Sequence, residues 1–319
     1  MKASPHPLRG YFYIGSAALL WGISATLGRA AFTGHLLPGG APLGKIDPLI
    51  LSQSRATLSL AVLLPVLLAR RGASALRVPA RELVQFCLLG ILGVAVSNYF
   101  YYVAIQRTNV ATAIILQYTA PVWVLLYTVA RGAQRPSLRR VSAVGLAVVG
   151  CALAVGFVGL GGVRMDKIGV TAALLAAFSF AFYNVGGHRV LARYDRWKVL
   201  FWVLVATSTF WICVNPPWKI VAANYSRQQW EFMLVFSLVS VLGPFSCYFA
   251  GLQHLEPTRA IVASCLEPVF SILLAALVLG ELLRPIQTAG IVLVLVAIVL
   301  IQLPERPARG EELLVEPIE

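Results

Sequence analysis

The sequence predicts an all-α integral membrane protein of ten transmembrane helices, arranged as two inverted five-helix repeats with both termini in the cytoplasm. Three observations carry that prediction. The first is composition: 59% of the 319 residues are hydrophobic, only 12% are charged, and the mean hydropathy is +0.79. A water-soluble chain carries about a quarter charged residues. Half that fraction leaves too little polar surface to coat a globule, so much of the surface must face lipid. The second is charge placement. With the N-terminus inside, seventeen of the 26 Lys and Arg residues fall on the cytoplasmic side, among them Arg70, Arg71, Arg139, Arg140, Arg193 and Arg259. Seven fall outside, among them Lys45, Arg107, Lys219 and Arg227. That bias is what the positive-inside rule expects. The net charge of +13 is therefore a topology signal, and nucleic acid is not an expected partner.

The third observation is an internal repeat. Residues 101–126 align without gaps on residues 248–273 at an offset of 147, with seven identities. They are Tyr101/Tyr248, Gln106/Gln253, Ala113/Ala260, Ile114/Ile261, Pro121/Pro268, Val122/Val269 and Leu126/Leu273. Five spans per half is an odd number, so the second half runs inverted through the membrane. Inverted repeats are typical of secondary transporters, whose solute sites lie near the midplane between the halves. Residues 1–160 form the first repeat, 161–304 the second, and 305–319, rich in glutamate, a disordered cytoplasmic tail.

A bilayer core about 30 Å thick takes about 20 apolar residues per helix, and ten such stretches follow in order. Span 1 (11–33) holds Trp21, Ser24 and Arg29, and with no small-residue cleavage site it reads as a retained helix rather than a signal peptide. After a Gly- and Pro-rich external loop (34–48), span 2 (48–69) carries Arg55. Arg29 and Arg55 sit toward the outer span ends, where arginine can snorkel to the interface. Span 3 (82–105) contributes Asn98, Tyr99, Tyr101 and Tyr102, and span 4 (109–130) contributes Gln117, Tyr118 and Pro121. Span 5 (138–158) is apolar, while span 6 (168–190) holds Ser179, Tyr183 and Asn184. Span 7 (197–214) precedes an external segment with Pro216, Pro217 and Trp218, expected to lie along the interface. Span 8 (230–253) carries Pro244, Ser246 and Tyr248, span 9 (257–280) Glu267 and Pro268, and span 10 (285–303) closes the bundle.

Polar groups at membrane depth face a cavity or a partner helix, because lipid offers no hydrogen bond. Trp21, Ser24, Asn98, Tyr99, Tyr101, Gln117, Tyr118, Ser179, Tyr183, Ser246 and Tyr248 are accordingly the candidate substrate-cavity residues, helix glue being the alternative for each. A mid-helix proline removes a backbone bond and bends the helix, so the matched pair Pro121 and Pro268 are candidate hinges. Glu267 is the one acidic residue near the middle of a span. It is a candidate carrier of a coupling proton, or else stays protonated and tied to nearby backbone.

Enzymatic motifs are missing: the sequence has no GxSxG, HExxH or Walker loop. The four histidines lack metal-ligand spacing, and the five cysteines, odd in number and within spans, read as buried small hydrophobes. No catalytic residue, metal or cofactor is expected, and without a P-loop transport is passive or ion-coupled.

Leu20-Trp21-Gly22 in span 1, and Leu266-Glu267-Pro268-Val269 followed by Gly280-Glu281 in span 9, resemble the drug/metabolite transporter superfamily with its paired EamA-type domains. The resemblance covers nearly the whole chain, although the first repeat has Ala133-Gln134 where its partner has Gly280-Glu281. More closely, the chain resembles YddG-type bacterial exporters of aromatic and other neutral amino acids. That resemblance implies a multi-pass protein of the bacterial inner membrane, exporting amino acids by alternating access through a central cavity. Spans 1, 3, 4, 6, 8 and 9 would line it, with Trp21, Asn98, Tyr99, Tyr101 and Tyr183 on its walls. The residues themselves reach only as far as a small organic solute. Export of another metabolite or of a cationic drug, which Glu267 would favour, and a receptor or scaffold without flux stay open. The expected partners are the amino acid and the lipid bilayer, and a monomer is expected.

Overall fold

A computed structural model of the chain describes residues 6–34, 42–108, 110–155, 166–279 and 284–303. The glutamate-rich tail, His35, Arg164, Gly280, Glu281 and the boundary between residues 160 and 161 lie outside the described residues, as does the side chain of Arg29.

Among the described residues every regular element is helical. Helix α1 runs Pro7–Thr33, α2 Pro48–Arg71, α3 Ala80–Leu88, α4 Val96–Arg107, α5 Val110–Gln117, α6 Ala120–Ala130 and α7 Leu138–Ala154. The second half continues with α8 Lys167–Leu191, α9 Arg196–Val214, the short α10 Pro217–Ala222, α11 Arg227–Ser237, α12 Gly243–Leu252, α13 Pro257–Ser264, α14 Leu266–Leu279 and α15 Pro285–Gln302. Among the described residues eight segments are long and apolar enough to cross a membrane, and they coincide with predicted spans 2–4 and 6–10. The places of spans 1 and 5 are taken by α1, of 27 residues, and α7, described over 17.

Polar caps punctuate the apolar runs. The Asp47 carboxylate accepts from the Leu49 and Ile50 amides at 2.8 and 3.1 Å, with Pro48 opening α2. Asp166 and Asp195 cap α8 and α9 in the same way, and Ser226 with Gln229 closes a capping box on α11. Each satisfies amide donors that a helix start leaves open.

The sequence repeat reappears in the elements. Helices α5 and α13 begin and end at the 147-residue offset, and α7 and α15 begin at it. Helices α4 and α12 do so too, and each follows a π-helical segment, Leu89–Ala95 in span 3 and Leu238–Leu242 in span 8. A π turn widens the helix and disturbs its regular carbonyl partners. Here a hydroxyl from a neighbouring helix reaches one carbonyl in each half. Thr207 Oγ1 on α9 donates to Gly90 O at 3.0 Å, and Ser59 Oγ on α2 donates to Ser237 O at 3.1 Å. Gly90 and Ser237 are again 147 apart.

The halves are interleaved. Helix α1 packs on α12, α13 and α14, while α8 packs on α4, α5 and α6, the same arrangement exchanged between halves. Helix α2 lies on α9, and α7 on α15. The last pair approach so closely that a Cβ on Gly290 would stand 2.3 Å from Ala154 N. Small residues let helix backbones meet where lipid supplies no hydrophobic drive. Leu88, Leu126, Phe178, Leu277 and Val299 are exposed on the spans, where the surrounding medium is hydrocarbon.

Two details differ from expectation. Spans 4 and 9 are interrupted rather than simply bent: α5 gives way to α6 at Tyr118 and Thr119, and α13 to α14 at Cys265. Pro121 and Pro268 lie three residues after Tyr118 and Cys265, which are equivalent in the repeat, and a proline, having no N–H, leaves the carbonyl four residues back without its helical donor. Cys87 and Cys213 are exposed rather than buried, which costs a small hydrophobe little beside lipid. The segment after span 7 forms the short helix α10, with Trp218 70% exposed.

Candidate functional site

Two clusters bring the predicted residues together, and both draw on the two halves. The first is aromatic. Trp21 on α1 lies edge-on to Phe245 and tilted to Tyr248, with ring centroids 5.5 Å apart in each case. Tyr183 on α8 stacks on Phe249 at 5.4 Å and meets Phe245 edge-on at 5.4 Å, with Phe180 closing the group. Such edge and offset contacts suit the ring quadrupoles. The π segment of span 3 positions the tyrosine, since a Cβ on Gly93 would come within 2.9 Å of Tyr183 Cβ. Tyr183 and Tyr248 are wholly buried. Asn184 Nδ2 donates to the Tyr248 hydroxyl, whereas the Tyr183 hydroxyl and Asn184 Oδ1 are buried without a partner among the described residues.

The second cluster is polar and sits where the interrupted helices meet. Tyr118, at the break in span 4, lies within electrostatic reach of the Glu267 side chain at the break in span 9. Arg55 lies within electrostatic reach of Glu267, and Tyr101 within reach of both. Arg55 Nη2 donates to Asn98 Oδ1 at 3.1 Å and to Ser52 Oγ at 3.3 Å, and its guanidinium lies 5.9 Å from the centre of the Phe236 ring. Asn98 is itself oriented by donating to Val94 O at 2.9 Å. Arg55 thus turns inward instead of snorkelling to the interface. Sequence reading missed it as a site residue: Asn98 and Phe236 lie on other helices, and only its place in span 2 hinted at a role.

The remaining candidates are more scattered. Ser24 Oγ returns to Trp21 O at 2.9 Å, and Ser179 is buried on α8. Gln117 ends α5, half-buried. Tyr99 is 37% exposed, edge-on to Phe100 at 5.7 Å. Ser246 lines a lateral apolar groove of about 420 Å³ with Val62, Leu63, Val66, Trp197, Leu238 and Cys247. Pro121 and Pro268 are both buried.

The ends of the bundle are tied across the halves. At one end Gln134 Nε2 donates to Glu256 Oε2 at 3.0 Å, with Arg140 and Arg259 at 3.8 and 3.9 Å from the same carboxylate. Thr258 Oγ1 donates back to Gln134 Oε1 at 2.8 Å. At the other end Asn215 Nδ2 donates to Gln53 Oε1 at 2.7 Å, and the Asp47 amide to the Tyr225 hydroxyl at 3.0 Å.

Comparison with known proteins agrees with this architecture. The chain is 27% identical over 258 residues to the threonine/homoserine exporter RhtA of Escherichia coli K12, covering 79% of this chain and 82% of that one. It is 26% identical over 233 residues to the uncharacterized inner membrane transporter YicL of Salmonella typhimurium, covering 72% and 75%. A solved crystal structure shares the fold with a TM-score of 0.74 at 19% identity, over 93% of this chain and 97% of the other. The EamA-like transporter family model matches residues 8–156 and 167–303. With eight apolar spans, interleaved halves and a family match across both, this multi-pass membrane protein belongs to the EamA-like transporter family.

Proposed function

We propose that the chain exports neutral amino acids across the bacterial inner membrane by alternating access between its two inverted halves. One observation carries this reading: two spans, one from each half, are interrupted at equivalent repeat positions, with Tyr118 and Glu267 beside the breaks. Discontinuous helices meeting at a repeat interface are where secondary transporters hold their solutes. Trp21, Phe180, Tyr183, Phe245 and Tyr248 supply apolar walls with few polar handles, suited to a partly apolar solute. The likeness to RhtA favours threonine and homoserine as substrates and export as the direction; the aromatic walls favour larger side chains as well. Glu267 alone would favour a cationic drug, but Arg55 within its electrostatic reach repels one.

Uptake of labelled threonine, homoserine, phenylalanine and a cationic dye into liposomes holding the purified protein tests this, each with and without a pH gradient. Saturable amino-acid uptake lost on Trp21→Ala or Tyr101→Ala is the expected result. Stimulation by the gradient that disappears in Glu267→Gln would assign that carboxylate to proton coupling. Dye uptake alone would replace amino-acid export with drug efflux, and no flux of any solute would leave a receptor or scaffold.

A further inference from the structure

The lateral groove of about 420 Å³ shares no lining residue with either cluster, and its walls come from both halves. Val62 and Val66 on α2 line it with Trp197 on α9, Leu242 in the second π segment, and Ser246 and Cys247 on α12. The Ser246 hydroxyl turns back to Leu242 O in its own span, and a cysteine side chain behaves as a small hydrophobe. The α12 wall therefore offers a ligand little beyond apolar surface. The repeat shows why the groove opens on this side. At the 147-residue offset Ser246 and Cys247 correspond to Tyr99 and Phe100, so two small side chains stand where the first half has two rings.

The groove leads to a basic rim. Val62, Val66 and Arg70 are spaced four apart on α2 and share a face. That stripe runs about 12 Å to the end of the helix, close to one leaflet of a hydrocarbon core about 30 Å thick. Arg70 is exposed there. On the facing wall the Arg196 guanidinium lies 5.2 Å from the centre of the Trp197 ring. The neighbouring Asp195 carboxylate is already engaged, accepting from Arg71 and from the Trp197 amide. Among the described residues neither Arg70 nor Arg196 has a carboxylate within 4 Å, in contrast to Arg71. The repeat equivalents of Arg70 and Arg196 are Pro217 and Leu49, so the charge, like the two small side chains, belongs to this side alone.

We propose that the groove binds an anionic phospholipid, one acyl chain lying between α2 and α12 and the headgroup phosphate held by Arg70 and Arg196. An apolar trough one leaflet long, ending in two cations without counter-charge, is complementary to such a lipid in both shape and charge. Trp197 stands where chain meets headgroup, the depth at which an amphipathic ring is favoured. Charge placement puts the rim on the cytoplasmic side, so the lipid comes from the inner leaflet. Ser246 then faces lipid rather than solute, and the seated chain lies across the joint between the two halves.

Fluorescence of the purified full chain in vesicles of equal parts phosphatidylethanolamine and phosphatidylglycerol tests the site, with brominated chains on one lipid or the other. Bromine quenches only the indoles it touches, and the difference between wild type and Trp197→Phe isolates the share of Trp197. That share should be quenched more by brominated phosphatidylglycerol, with a preference of about fivefold for each arginine. Arg70→Gln should lower the preference by that factor, Arg70→Gln with Arg196→Gln should abolish it, and high salt should weaken it. Ser246→Tyr with Cys247→Phe places the first half's rings in the groove and should shelter Trp197 from both lipids. Equal quenching of the wild type by the two lipids would mean that bulk lipid fills the groove, and would overturn the proposal without any variant having to fold. So would quenching by neither lipid, or a preference that survives loss of both arginines.

Discussion

At the scale of single residues, what decides a role is whether a buried polar atom has a partner. Tyr183 and Tyr248 stack at 6.3 Å, and both are wholly buried. Their hydroxyls differ, since that of Tyr248 pairs with Asn184 and that of Tyr183 pairs with nothing among the described residues. Leaving a buried donor or acceptor unmet costs about 1–3 kcal/mol. Tyr248→Phe strands the Asn184 amide and should destabilise the protein by about that amount. Tyr183→Phe removes an orphan and should leave stability unchanged or raised. Thermal melts of the two variants in one detergent check this, and a larger loss for Tyr183→Phe would contradict the assignment. Sequence alone marked both tyrosines as cavity candidates but could not separate them, because the difference lies in where Asn184 points. The same holds for Arg55: a long side chain near a span end can reach outward or inward, and only the place of Asn98 on α4 resolves it.

At the scale of elements, the spans were legible because hydrocarbon demands about 20 apolar residues per crossing, a constraint strong enough to set boundaries within a few residues. Their interior irregularities were not. The π segments in spans 3 and 8 end at equivalent positions, yet only span 8 has a proline there, Pro244, with Ser97 its counterpart. Proline is therefore not their common cause; cross-helix bonds from Thr207 and Ser59 are shared by both, and no local pattern announces those. The breaks in spans 4 and 9 were half legible: Pro121 and Pro268 predicted a bend, and the chain opens further, three residues upstream of each. If these breaks are the moving parts, changing Pro121 and Pro268 together to Ala should restore continuous helices. Alanine returns the missing amide and has the best helix propensity. Amino-acid flux should then fall severalfold while the melting temperature holds or rises. Unchanged flux in the double variant would remove the hinge from the mechanism.

At the scale of the whole molecule, alternating access requires each end of the bundle to part in turn, and the two ends are closed by different chemistry. The Gln53–Asn215 pair is neutral and buried. At the opposite end Glu256, itself half-exposed, gathers Gln134, Arg140 and Arg259 from elements of both halves. The sequence showed the departure at Ala133-Gln134 from its repeat partner without a reason for it; the amide of Gln134, bonded to both Glu256 and Thr258, supplies one. Charge counting assigns this end to the cytoplasm. Half-exposed ion pairs are weak and screened by salt, so this is the end that should open first when one group is removed. Glu256→Ala takes away the shared acceptor, and loss of a charged hydrogen bond of about 1.4 kcal/mol or more corresponds to about tenfold in an opening equilibrium. A cysteine at the buried Thr258, in a background whose native cysteines are replaced by alanine, should then react about tenfold faster with a membrane-impermeant maleimide. The acceleration should appear in inside-out vesicles and not in right-side-out ones, and fade at high salt as the wild type loosens toward the variant. Labelling from the periplasmic face would invert the assigned topology, and an unchanged rate would mean that Glu256 does not hold the end closed.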